Sequence, residues 1–290
     1  MSEIKEIRNK INCIKNTQKI TRVMEMISIS KMKKAELKMN SRRSYLNIIK
    51  EIINNILNNN TRYQHLYFEK REIKKVGIIV VSTDRGLCSS LNTILFKKIQ
   101  KFIKIKSYKN IKCYLSILGL KGISFFKALF NDVIYYETNF GKKHIFSNYL
   151  NFINIFLKYY DEKKIDNLFL SYNQFENIFF QKPLIIKLLP FSKKMICKKQ
   201  INRWDYIYES NPKCLLDTLF KNYIKSQIYQ AILENYTCEQ TVRMIAMKQA
   251  TDNSKNLIKD LQISYNKARQ NNITQELTEI ISGASAVSLS

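Results

Sequence analysis

The sequence predicts an α/β chain in which a long antiparallel coiled coil of N- and C-terminal helices accompanies a central α/β domain. Three observations predict it. Every proline and five of the six glycines lie between Gly77 and Pro212, leaving residues 1–76 and 213–282 without either helix breaker. A glycine costs a helix interior about 1 kcal/mol and a proline about 3, so both ends are free to wind without interruption. The opening residues Ile4, Ile7, Ile11 and Ile14 follow a three-four spacing that sets one apolar seam. The middle of the chain changes period, with short apolar runs closed by polar turn residues.

The N-terminal seam turns polar at Gln18 and Thr21. It then reads as resuming in a shifted frame through Met24, Ile27, Met32, Ala35, Met39, Leu46, Ile49, Ile53 and Ile56. Asn58 to Thr61 favour leaving the helix. The C-terminal segment answers with Leu216, Leu219, Tyr223, Ile228, Ala231, Val242, Ile245, Leu257, Leu261, Ala268, Leu277 and Ile280 at irregular intervals. These intervals predict a distorted pair with small and polar residues in parts of its seam. A helix from Pro212 to Gly283 would be on the order of 100 Å long and cannot bury its own stripe, so the N-terminal helix is its natural partner. The C-terminal helix is the longer, and its tip should overhang by about 20 Å of unpaired helix. That tip reads GASAVSLS, small and uncharged, which suits either a smooth apolar sleeve in a partner or a frayed terminus.

In the middle, Val76–Thr83 (VGIIVVST), Ile111–Leu118, Asp132–Tyr136, Asn167–Tyr172 and Pro183–Leu189 are strand candidates, and Leu91–Lys106 reads as a helix. Apolar runs alternating with helices predict a Rossmann-like layer with a mostly parallel sheet. Pro190 closes the last strand, and Pro212 suits the first turn of the final helix. The expected parts are residues 1–60 for the N-terminal helix, 61–210 for the central α/β domain and 211–290 for the C-terminal helix that pairs back on the first.

Composition narrows the function. The formal charge is +26. That suits phosphate binding, and a basic coiled-coil nucleic-acid-binding or structural protein is the alternative to keep. The excess is dispersed, however, with 13 basic against 5 acidic residues in 1–57, 27 against 11 in 58–212, and 9 against 7 in 213–290. It is mostly lysine, 39 against 10 arginines, whereas base-edge recognition leans on the arginine fork. The bias toward Lys, Asn, Ile, Tyr and Phe matches AT-rich coding. The six cysteines form no CxxC pair, and the two histidines are isolated, so buried or incidental thiols are expected and no metal site is. No run of about 18 apolar residues is present to cross a bilayer, and any membrane contact is expected to be peripheral.

Catalytic chemistry has little to rest on. Gly119–Gly122 (GLKG) lacks the spacing of a phosphate-cradling loop. The loop VVSTDRGLCSSLN at Val80–Asn92 lies between strand and helix, where α/β ligand sites form, and leaves a dinucleotide enzyme as a further alternative. Asp84 and Arg85 there read equally as an ion pair at a strand end, and Cys88 has no histidine near it in sequence.

NTQKITRVMEMISISKMKKAE at Asn16–Glu36, VVSTDRGLCSSLN, RMIAMKQATDN at Arg243–Asn253 and NKARQNNITQELTEIISGASAV at Asn266–Val287 together resemble the gamma subunit of bacterial F-type ATP synthase. The resemblance implies a non-catalytic shaft, with no cofactor of its own. Its partners would be the alpha, beta and epsilon subunits and the membrane c-ring, at the cytoplasmic side of a bacterial inner membrane. By motif match, Met24 and Arg243 resemble the family's pair near acidic loops of the beta subunits, with Lys19 and Arg22 as cationic complement. Arg269, Gln270, Thr274 and Glu276 resemble its upper contacts with the alpha/beta ring. WDYIYE at Trp204–Glu209 resembles the family's segment near the foot that meets epsilon and the c-ring, which implies contacts there for Tyr206, Tyr208 and Glu209. The family commonly has two glycines after the cysteine of DRGLC where this chain has Ser89 and Ser90, which questions any positive φ there.

Overall fold

The structure, a computed structural model, describes residues 2–59, 66–69, 71–130, 132–138, 145–191 and 212–288. In chain order the elements are α1 (Ser2–Asn59), a 3-10 turn (Leu66–Phe68), β1 (Lys75–Val81), α2 (Leu91–Ser107), β2 (Lys112–Leu118), α3 (Leu120–Lys127), β3 (Val133–Glu137), α4 (Ile145–Asp161), β4 (Asn167–Phe175), β5 (Gln181–Leu189) and α5 (Pro212–Ser288). Two compact units divide them: residues 1–29 with 243–290, here unit 1, and residues 30–242, unit 2.

Unit 2 is built on a five-stranded sheet in the order β3-β2-β1-β4-β5. Strands β3, β2, β1 and β4 run parallel, and β5 returns antiparallel beside β4. All five strand candidates are strands, with ends displaced by a residue or several. The period-two alternation of β1 divides the core. Val76, Ile78 and Val80 pack with Leu95, Ile99 and Ile103 of α2 and Ile123 and Phe126 of α3. Ile79 and Val81 belong instead to the cluster holding Phe152 and Phe156 of α4, Ile49, Ile53 and Ile56 of α1, and Phe220, Ile224 and Ile228 of α5. Each fully buried side chain of this kind contributes roughly 1.5–3 kcal/mol of transfer free energy. Both faces of a parallel sheet must be covered, which is why its strands read as near-continuous apolar runs.

Helix α3 begins within the GLKG segment, and the structure gives those glycines a packing role. Gly119 sits at φ +103, and a Cβ on it would lie 2.5 Å from the Ser82 carbonyl oxygen. A Cβ on Gly122 would lie 2.5 Å from Ser82 Oγ, to which the Gly122 amide donates at 3.0 Å. The end of β1 and the start of α3 thus touch backbone to backbone.

Along α1 burial follows one frame without a break. Ile11, Thr21, Ser28, Met32, Ala35, Met39, Ile49, Ile53 and Ile56 are buried, and Ile4, Ile7, Ile14, Gln18, Glu25, Arg42 and Leu46 are half-buried between them. The expected frame shift is therefore corrected. Glu25 and Ser28 hold the seam, while Ile27 is 48% exposed. A seven-residue repeat sustained this long fixes which face stays inward whatever residues fill it.

The irregular C-terminal spacing is corrected in the same way. From Met247 the inward residues of α5 are Thr251, Ser254, Ile258, Leu261, Tyr265, Ala268 and Asn272, again in three-four steps. Leu257, Leu277 and Ile280 are 50, 54 and 67% exposed and lie off that seam. In unit 1 the hydroxyls of Thr21 and Thr251 share a hydrogen bond of 2.8 Å across the pair. An antiparallel course from that point sets Ile14 level with Ile258, Ile11 with Leu261 and Ile4 with Ala268. The burial of α5 ends at Asn272, where α1 runs out, and residues 273–284 are exposed all round.

Within unit 2, α5 is enclosed on nearly every side between Gln230 and Thr241. Several of its polar atoms there are paired internally, while Gln230 Oε1 and Glu234 Oε2 are buried without a hydrogen-bond partner. Glu234 Oε1 accepts from Arg43 Nη2 at 3.2 Å and from Gln230 Nε2 at 2.9 Å, and Asn235 Oδ1 accepts from Asn173 Nδ2 at 2.9 Å. Burial at this depth demands such pairing, since an unpaired polar group there costs about 1–3 kcal/mol.

Candidate interaction surface

Among the described residues, the outward face of the unit 1 helix pair exposes a set of large apolar side chains. At 100° per residue, Val23 lies opposite the α1 seam with Lys19 and Met26 beside it, and Ile20 and Ile27 form a neighbouring stripe. Ile20, Val23, Met26 and Ile27 are 61, 54, 58 and 48% exposed. Met24 and Arg22 flank the seam on opposite sides, Met24 half-buried and Arg22, like Lys19, exposed. Scattered exposed leucines are ordinary, but a clustered set of large aliphatics on a helix is a binding surface in waiting.

On α5 the exposed end carries two stripes. Arg269, Ile273, Glu276 and Ile280 recur at three-four intervals on one, and Gln270, Thr274 and Ile281 on the other, with Leu277 between. All eight are exposed. The Thr274 hydroxyl is turned back to the Gln270 carbonyl at 2.9 Å, so its methyl is the part most available to a partner. Ile273, Leu277, Ile280 and Ile281 are 48 to 67% exposed. Sequence reading gave Ile27, Leu277 and Ile280 to the seam and passed over Ile20, Val23 and Met26. The available signal was a surplus of large aliphatics at phases that no single seam can absorb.

Arg243 departs from the others, being only 6% exposed in the chain. The register of Thr21 and Thr251 sets Met24 level with Lys248, about 7 Å along the axis from Arg243. Arg243 is therefore held inside the fold and not on the outward face that carries Lys19 and Arg22. Tyr206, Tyr208 and Glu209 lie outside the described residues.

The loop after β1 is a knot of internal bonds. Asp84 Oδ1 accepts from the Leu120 amide at 3.1 Å, tying the loop to the first turn of α3. Thr83 Oγ1 donates to the Arg85 carbonyl at 2.9 Å, and Asn92 Nδ2 donates to Thr83 Oγ1 at 2.7 Å and to Cys88 Sγ at 3.4 Å. Cys88 is buried in a small cluster with Leu91 and Cys238. Burial pushes the Cys238 thiol well above its ordinary range, which makes it a poor nucleophile. Ser89 takes φ 49 and Leu87 φ 61, so the first of the two serines does adopt the left-handed conformation a glycine would favour. Among the described residues no group of three His, Cys, Asp or Glu is placed to hold a metal, and no helix is long and apolar enough to cross a membrane.

A family model described as ATP synthase matches residues 3–287. An ATP synthase gamma chain from Buchnera aphidicola subsp. Melaphis rhois is 64% identical over 290 residues, covering 100% of both chains. That of Buchnera aphidicola subsp. Schlechtendalia chinensis is 62% identical, again over the whole of both. Among solved structures, a chain from the rotor of Euglena gracilis mitochondrial ATP synthase shares the fold with TM-score 0.65 at 21% identity, covering 94% of this chain and 99% of that one. A chain from an OSCP/F1/c-ring structure of the same enzyme has TM-score 0.67 at 19% identity, covering 99% and 95%. On this agreement of full-length sequence and fold, the chain belongs to the ATP synthase gamma-chain family.

Proposed function

We propose that the chain is the central rotor shaft of a proton-translocating F-type ATP synthase, a subunit with no active site of its own. The observation that carries the proposal is the helix pair of unit 1. Its seam is regular, its outward face displays Ile20, Val23, Met26 and Ile27, and its exposed α5 end displays Ile273, Leu277 and Ile280. Such a surface fits inside a sleeve, here the ring of three alpha and three beta subunits.

A two-helix rod presents a different face to each beta subunit around it, and differential contact is what shifts a conformational equilibrium. Moving one site from 1:99 to 99:1 takes about 5.5 kcal/mol, which a stiff rod transmits and a flexible linker does not. Lys19, Arg22 and Met24 on α1, with Arg243 behind them, would meet the acidic loops of the beta subunits. Arg269, Gln270, Thr274 and Glu276 would be the upper ring contacts. Epsilon and the c-ring would engage the foot through Tyr206, Tyr208 and Glu209. Proton flow through the membrane would turn ring and shaft together, with the chain held peripherally at the cytoplasmic side of a bacterial inner membrane.

Reconstitution tests this directly. Purified alpha and beta subunits should hydrolyse ATP in a manner that depends on this chain, and activity indifferent to its presence would end the proposal. Met24→Lys puts a cation on the flank of the α1 seam opposite Arg22. It should leave assembly and hydrolysis largely intact while reducing ATP-driven proton pumping severalfold, and intact pumping would remove Met24 from the contact set.

A further inference from the structure

Helices α1 and α5 carry the two peptide bonds that join unit 1 to unit 2, since the division falls at 29–30 and 242–243. The c-ring contacts proposed above belong by sequence to unit 2, and the ring contacts to unit 1. Torque passing along the chain from one unit to the other therefore runs through these two helices. Inside unit 2, polar side chains of α5 reach two different elements from a single turn. Glu234 Oε1 accepts from Arg43 Nη2 of α1 at 3.2 Å, and the next residue, Asn235, accepts from Asn173 Nδ2 of β4 at 2.9 Å. Gln230, one turn earlier, donates to the same Glu234 oxygen at 2.9 Å, and Cys238 Sγ donates to the Asn173 carbonyl at 3.5 Å. Consecutive helical residues point about 100° apart, so the two ties grip α5 from two directions at one level.

Stability does not account for these ties. Glu234, Asn235 and Asn173 are 4, 2 and 1% exposed. A carboxylate taken to that depth loses hydration that its partner only repays, and apolar residues of similar volume often hold such a site as well or better. Gln230 Oε1 and Glu234 Oε2 are also left buried without a hydrogen-bond partner, which costs stability outright. The same stretch of α5 already packs Ile228, Ala231 and Ile232 into the core. Apolar burial is non-directional and tolerates a helix that turns or slides slightly, whereas hydrogen bonds between named atoms fix its angle and height. We infer that Arg43, Glu234, Asn173 and Asn235 are positioning residues that fix the rotational and axial setting of α5 in unit 2, so that torque applied to this unit enters the helix without slip. This rests on the proposed rotor function, which supplies the torque.

The test removes each tie together with its partners. Arg43→Met with Gln230→Leu and Glu234→Met forms one variant, and Asn173→Leu with Asn235→Leu the other. Neither leaves a charge or an amide of the tie stranded, so the full chain should melt within a few degrees of the unaltered one. In the reconstituted complex, alpha and beta subunits are fixed to a surface and a bead is attached at the exposed Tyr108 of unit 2. Angular fluctuation of the bead between steps then reads torsional stiffness. Each variant loses one tie of two, so the angular variance should rise about twofold while ATP hydrolysis is unchanged. Variance equal to that of the unaltered chain in either variant overturns the inference. So does a rise confined to a variant that melts much earlier, because lost stability then accounts for it. If the variants do not assemble while the unaltered chain does, the ties hold the fold instead of the setting of one helix, and the inference falls as well. An unaltered chain that turns no bead ends the rotor proposal itself. If it turns the bead and only the variants fail to differ, the rotor proposal stands.

Discussion

Helices α1 and α5 each contribute to both units, and they bury different chemistry in each. In unit 2 they meet a sheet and α4, and Ile53, Ile56, Phe220 and Ile224 are at most 2% exposed. In unit 1 they have only one another. There the seam includes Gln18, Thr21, Glu25, Thr251 and Ser254, and even Ile4, Ile7 and Ile14 remain half-exposed. A helix enclosed by several neighbours draws its stability from them, whereas a two-helix pair must leave half of each surface to something else. Unit 2 buries its helix faces against its own sheet and α4, whereas unit 1 leaves large apolar side chains of both helices exposed.

The sharpest way to break that contrast is in the core of unit 2. Ile53→Ala should cost about 3–4 kcal/mol in urea unfolding, because the site is enclosed and cannot collapse. Ile7→Ala, on the open seam of unit 1, should cost about 1 kcal/mol or less. Equal losses would mean the two regions are packed alike. Gly119→Ala should cost about 3 kcal/mol, since it combines an unfavourable φ with a Cβ placed against the Ser82 carbonyl, and wild-type thermal stability in that variant would remove the close approach.

Smaller effects probe the seam and the loop. Replacing Thr21 and Thr251 together by valine removes both hydroxyls and leaves no unpaired partner, so it should stabilise unit 1 by about 1 kcal/mol in hydrogen exchange of α1 amides. A loss of protection would show that the shared hydroxyl bond matters more than the apolar gain. Ser89→Gly should add about 0.5–1 kcal/mol by relieving the positive φ, whereas Ser90→Gly, at φ −88, should be neutral or slightly destabilising.

Alkaline pH provides a further check on unit 2. Burial pushes the Tyr160 hydroxyl up to about 12, and the bond to Glu137 Oε2 at 2.6 Å, with burial second, pushes Tyr135 up to about 12 as well. The folded state therefore favours the neutral phenols. Their contribution is complete below the ordinary tyrosine value near 10 and is lost as the pH rises from about 10 to 12. Phenolate absorbance should show these two rings ionising late, and a single titration near pH 10 for all tyrosines would contradict the burial.

The five strands, α2 and the start of α5 were legible because each rests on local pattern, apolar runs in a covered sheet and Pro212 at a first turn, whereas α5 runs on through Gly283 to Ser288. The seam was legible at its ends and misread in the middle. Glu25 and Ser28 carry no apolar signal, so reading hydrophobicity drew the frame toward Met24 and Ile27. Helical geometry keeps the inward phase whatever occupies it. The role of GLKG and the burial of Arg243 were not legible, since each depends on what another part of the chain brings close.

The sequence by itself determined that both ends wind as long helices, that a mostly parallel sheet lies between them, and which motifs mark the family. Periodicity, helix breakers and strand composition are local properties that no neighbour needs to supply. Only the tertiary structure decided which helix faces are covered and which are left outward, that the Thr21–Thr251 bond marks the register of unit 1, and that Phe179 is exposed among the described residues. Those depend on the distances between residues far apart in the chain, and burial is a property of the pair rather than of either residue.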